Sequence, residues 1–97
     1  MTIMDTEHLA AAELLYKLLD RMRDEARYPS HPAVRGRLTN AIVVLEIAAQ
    51  QTASGIIDLD TADAIADAAE LTLRQIIGIR KLRESMWPPN HTNGSGA

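Results

Sequence analysis

The chain has 97 residues, 46% of them hydrophobic but only 3% aromatic, with no phenylalanine, no cysteine and a formal net charge of −3. That length allows one small domain, and the lack of cysteine excludes disulfide staples, thiolate chemistry and cysteine zinc sites. The acidic balance argues against bulk nucleic-acid binding, and the wealth of alanine and aliphatics with few glycines or prolines is the composition of a helical protein.

The first periodic segment runs from about Asp5 to Arg27. At about 100° per residue, Met4, Ala11, Leu15, Leu18, Leu19, Met22 and Ala26 fall on one face, with His8 at its edge. Asp5 or Thr6 is placed to cap the start, and Glu13–Lys17 and Arg21–Glu25 are spaced for i,i+4 pairs. Tyr28-Pro29-Ser30-His31-Pro32 ends it, because a residue before proline resists helix.

A second helix is expected from about Pro32 or Ala33 to Ser54, with Gly55 as a left-handed stop. Its apolar residues do not form one stripe. Val34, Leu38, Ala41, Ile42, Leu45, Ala48, Ala49 and Thr52 make a broad face, while Val43, Val44 and Ile47 lie opposite, in line with Gly36 and Asn40. A helix apolar on two sides must be covered on two sides.

A third helix is expected from about Thr61 to Met86, with Ala62, Ile65, Ala69, Leu73, Ile76 and Ile79 inward and Ala66, Ala68 and Ile77 widening that face. Leu71, Leu82 and Met86 sit to one side. Gly78 in mid-helix costs roughly 1 kcal/mol against alanine, which points to a close helix approach or a bend. Trp87-Pro88-Pro89 closes the helix, so residues 1–87 read as a single helical domain and 88–97 as a disordered polar tail. The start lacks the basic and apolar blocks of a signal peptide and no run is long enough to span a membrane, so a soluble, cytoplasmic protein of bacterial or phage type is expected.

The fold class is therefore all-α: a three-helix antiparallel bundle, or a hairpin plus a third helix, assembling as a homodimer.

Four aspartates in GIIDLDTADAIADAAE invite a metal reading. Counted from Asp58, an EF-hand loop would need a ligand at Ala62, glycine at Asp63 and glutamate at Ala69, so the template fails. Helix initiation fits better, with Asp60 as N-cap, Asp63 in a capping-box position, and Ile56, Ile57 and Leu59 anchoring the connection. Acids from Asp58 to Glu70 followed by bases from Arg74 to Arg83 also suit the helix dipole.

His8, His31 and His91 have no ligand spacing, and HExxH, GxSxG, GxGxxG and P-loop motifs are missing. No catalytic, cofactor or metal residue is expected, and the chain reads as no enzyme. Asp67, Glu70 and Glu46 would be the carboxylates of any active site shared across a dimer seam. The expected work is protein–protein interaction, as a small regulator, inhibitor, antiactivator or adaptor without a cofactor, whose partners are a second copy of itself and another protein, and not a membrane. Val43, Val44, Ile47, Gly36 and Asn40 are the expected partner or dimer interface. Arg23, Arg27, Tyr28, Arg35, Arg37 and Trp87 are further contacts, since arginine and aromatics commonly anchor interfaces. Trp87 before two prolines reads equally as a packing plug. The alternative is a DNA- or RNA-associated regulator using the Arg21–Arg37 turn, although Asp20, Asp24 and Glu25 interleave with its arginines.

Overall fold

The computed structural model describes residues 6–86. They form three helices, α1 (Thr6–Glu25), α2 (Pro32–Ala53) and α3 (Leu59–Met86), each packed against both others. The all-α expectation holds. Met4, Asp5, Trp87 and the tail lie outside the described residues, as does His91.

Each boundary has a local cause. α1 gives way at Glu25, where Arg27 and Tyr28 donate to Asp24 and Glu25 in the tighter i→i−3 pattern before Pro29. His31 caps α2: its backbone is extended and its Nδ1 accepts the Ala33 N–H at 3.1 Å, with Pro32 supplying the preset first turn. Gly55, at φ 80°, ends α2. There the Ile56 N–H reaches the Gln51 carbonyl at 2.8 Å and Gly55 that of Thr52 at 3.1 Å, the two bonds of a Schellman stop.

The cap of α3 differs from the expectation. Asp58, not Asp60, holds the position: its carboxylate accepts the Thr61 N–H at 2.8 Å and its carbonyl receives Ala62 at 2.9 Å. Thr61 thus takes the third position of the capping box that the sequence reading gave to Asp63. Hydrogen bonds from the Thr61 side chain and then its backbone hold the Asp58 carboxyl below the usual aspartate range.

The core sits between the three helices on Leu15, Leu19, Met22, Leu45 and Leu73, all with almost no accessible surface. Full burial of each such side chain stabilises by about 1.5–3 kcal/mol. Ala12, Ala48, Ala49, Ala62 and Ala66 fill the positions between them, where the helices press together. The broad face expected on α2 is the buried one, and only the hydroxyl of Thr52 lacks a hydrogen-bond partner there.

Three expectations are corrected. Ile79 is 46% exposed and Ile56 72% exposed, so neither belongs to the core. A Cβ placed on Gly78 would meet nothing within 4 Å, so no helix approaches there within the protomer, and the same is true of Gly36.

Candidate interaction surface

Two regions drew attention in the sequence, and the structure treats them in opposite ways. The first is the outer face of α2. Val43, Val44 and Ile47 are 51%, 59% and 50% exposed. Gly36, Asn40, Gln50 and Ser54 continue the line at helical spacing, all exposed and all uncharged.

α3 extends this face. Ala64, Ala68, Leu71, Gln75, Ile79, Leu82 and Met86 follow one another at steps of three or four residues, and all are exposed. Between the two helices runs a groove. A depression of about 280 Å³, lined by Asn40, Ala41, Val44, Ile65, Ala68 and Thr72 among others, meets a second of about 250 Å³ formed by Ile47, Gln51 and Ile57. Val44 and Ile65 belong to both, so the two are continuous, and no charged side chain lines either. By contrast, the depressions beside α1, near Leu9, Leu14 and Tyr16, carry Glu7, Glu13 and Asp63 on their walls.

Sequence reasoning singled out Val43, Val44 and Ile47, but it placed Ile65 and Ala68 on the inward face of α3 and left Thr72 unnamed; these three make the groove's other wall, and Ala68 is exposed. The signal was present as the uncharged sector of α3. Most of its charges (Asp63, Asp67, Glu70, Arg74, Lys81) fall on another part of that helix's circumference, with Asp60 and Arg83 near its two ends the exceptions.

The second region is the arginine-rich turn between α1 and α2. Most of its groups are bound to the protein itself. Arg35 donates to the carbonyls of Ala26 at 3.0 Å and Tyr28 at 3.3 Å, satisfying acceptors that the end of α1 leaves open. Arg23 pairs with Glu46 at 3.4 Å, and Arg37 reaches the Gln75 side chain of α3 at 3.2 Å. Tyr28 lies beneath the Arg80 guanidinium, 3.8 Å from its ring centre. Arg27 is exposed and, like Arg21, makes no hydrogen bond or ion pair among the described residues.

Arg80 is also the centre of a cluster the sequence reading missed. Its Nε and Nη2 donate to the two carboxylate oxygens of Glu25 at 2.6 and 3.2 Å, and its Nη1 reaches Glu84 at 3.2 Å. The Glu25 side chain is only 7% exposed and that of Arg80 19%. The bond from Glu25, partly offset by burial, raises the guanidinium's pKa above its ordinary value. Glu25 was legible as a core position, since it follows Leu18 and Met22 at i+7 and i+3. Its expected partner Arg21 does not pair with it, and a residue 55 positions away does.

Among the described residues no group of three or more His, Asp or Glu is placed to hold a metal ion. Glu46 is engaged with Arg23, while Asp67 and Glu70 are exposed on α3. No described helix is long and apolar enough to cross a membrane. Comparison with protein-family models, with curated proteins and with solved structures finds no match to the chain.

Proposed function

We propose that the protein is a non-enzymatic helical interaction module, a small regulator, inhibitor or adaptor that works by binding other protein and associates with itself. The observation that carries this reading is the exposed apolar face of α2 and α3, with a groove that no charged side chain lines. A chain this small has little apolar surface to spare, and large exposed patches on soluble proteins mark places where another molecule sits.

The Arg21–Arg37 turn gives less support to the nucleic-acid alternative, because Arg23, Arg35 and Arg37 are engaged within the protomer. The fold itself uses those groups.

The test is absolute mass by light scattering across a concentration series, for the native chain and for Val43→Glu with Ile47→Glu. The expected result is a native dimer that the two glutamates split into monomers of unchanged helix content. A native dimer untouched by the substitutions would remove this face from self-association. Strong, salt-sensitive DNA binding would favour the alternative instead.

A further inference from the structure

The charges of this molecule are sorted by end, and that decides how two copies fit together. α1 and α3 begin at the end where α2 finishes. In residues 6–19 and 43–70, which make that end, eight acids stand against Lys17 as the single base, five of the acids lying between Asp58 and Glu70. In residues 20–42 and 71–86, which make the other, nine bases stand against four acids. Two of those four, Glu25 and Glu84, are already paired with Arg80. One end is strongly negative and the other positive.

The α2–α3 face runs lengthwise between these ends, and its centre around Val43, Val44 and Ile47 is apolar; Arg37, bonded to Gln75 across the groove, lies nearer the basic end. In a two-fold contact a residue near the axis meets its own copy, so a charge there would repel itself and an apolar centre does not. The face also has the size such a contact needs. Ala64 to Met86 spans about 33 Å at the helical rise and two helices span about 20 Å, giving an area of the order of the ~800 Å² per partner found in stable complexes.

Resting on the self-association proposed above, we infer that the occupant of the groove is a second copy in antiparallel orientation, with the two-fold axis near Val43. The acidic end of each copy then lies beside the basic end of the other. A parallel pair would set acid on acid and base on base. Apolar burial along the groove supplies the affinity, and the sorted charges select the direction. In this arrangement Gly36 of one copy comes level with Gln50 of the other, since both lie seven residues from Val43. The open space over Gly36 then has an occupant, the partner's α2 backbone.

The chain contains no cysteine, so single introduced thiols report contacts without background. Gly36→Cys, Val43→Cys and Gln50→Cys are made singly, checked for helix content by circular dichroism, weighed by light scattering and then oxidised. The inference expects dimers in which Val43→Cys links to itself, Gly36→Cys and Gln50→Cys each fail to do so alone, and a mixture of the last two gives the linked pair. Dimers in which Gly36→Cys and Gln50→Cys each link to themselves would be parallel and would overturn the inference while leaving self-association intact. Dimers that none of these thiols link would place the contact elsewhere and also overturn it. Monomers at every concentration would overturn both the orientation and the self-association, and would hand the groove to a different protein.

Discussion

α2 carries two apolar faces, and their different fates separate hydrophobicity from burial. Leu38, Leu45, Ala48 and Ala49 lie against α1 and α3, whereas Val43, Val44 and Ile47 are half open to water. The exposed residues are as apolar as the buried ones. Neighbourhood distinguishes them: the inner face meets α1 and α3, and Val43, Val44 and Ile47 stand where nothing in the protomer presses back. The inner face makes the fold, and the outer face is what the fold presents.

The largest expected break in that symmetry is Leu45→Ala against Val43→Ala. The first opens a cavity in a fully buried site and should cost about 2–5 kcal/mol in denaturant unfolding. Measured at concentrations low enough to keep the protein monomeric, the second should stay within about 0.5 kcal/mol, as changes away from a packed core do. Equal losses would mean that the outer face is packed as well.

Next in size is the end of the bundle. Glu25→Ala removes the carboxylate from beneath Arg80 and should lower the unfolding midpoint clearly, though by less than Leu45→Ala. Arg21→Ala, one turn earlier, should leave it unchanged. If the two behaved alike, the Glu25–Arg80 bond would contribute nothing measurable.

A smaller effect, of opposite sign, is expected inside the core. Thr52 is fully buried with its hydroxyl unpaired, so Thr52→Val keeps the shape and removes the unsatisfied group. The variant should be neutral or stabilised by up to about 1 kcal/mol, and a loss would reveal a hidden partner for that hydroxyl.

The smallest is a pH effect at α3. The Asp58 carboxyl titrates lower in the folded protein than its ordinary value of 3.8, so the charged form stabilises the fold above that value. The contribution disappears as pH falls through the lowered folded pKa. Urea midpoints followed from about pH 5 to about pH 2 should fall less steeply in Asp58→Asn than in the native chain.

The same contrast explains how far the sequence could be read. Periodicity found the inner face of α2 residue by residue, because a buried stripe at helical spacing leaves a repeating mark. It also separated Val43, Val44 and Ile47 from that face. It misplaced Ile79, because apolar spacing marks a face without marking how much of it is covered, and this residue sits on the wall of an open depression beside Val34 and Leu38. It misread Gly78, whose lack of a side chain is compatible with open space as well as with close packing. Asp58 and Asp60 offer the same chemistry two residues apart, and only the path of the chain chooses between them. Glu25 and Arg80 are too distant in sequence for any local rule to pair them. The groove's far wall was missed because Ile65, Ala68 and Thr72 acquire meaning only beside α2.

The two turns, residues 26–31 and 54–58, are both short, so each helix packs against its immediate neighbour along the chain. Small helical bundles with such short connections form in microseconds to milliseconds. Two copies at about 1 μM, associating at about 10⁶ M⁻¹s⁻¹, meet only about once per second. In the proposed dimer each protomer would therefore be finished before it met its partner, and pairing would join completed bodies at a rate that follows protein concentration while the appearance of helix does not.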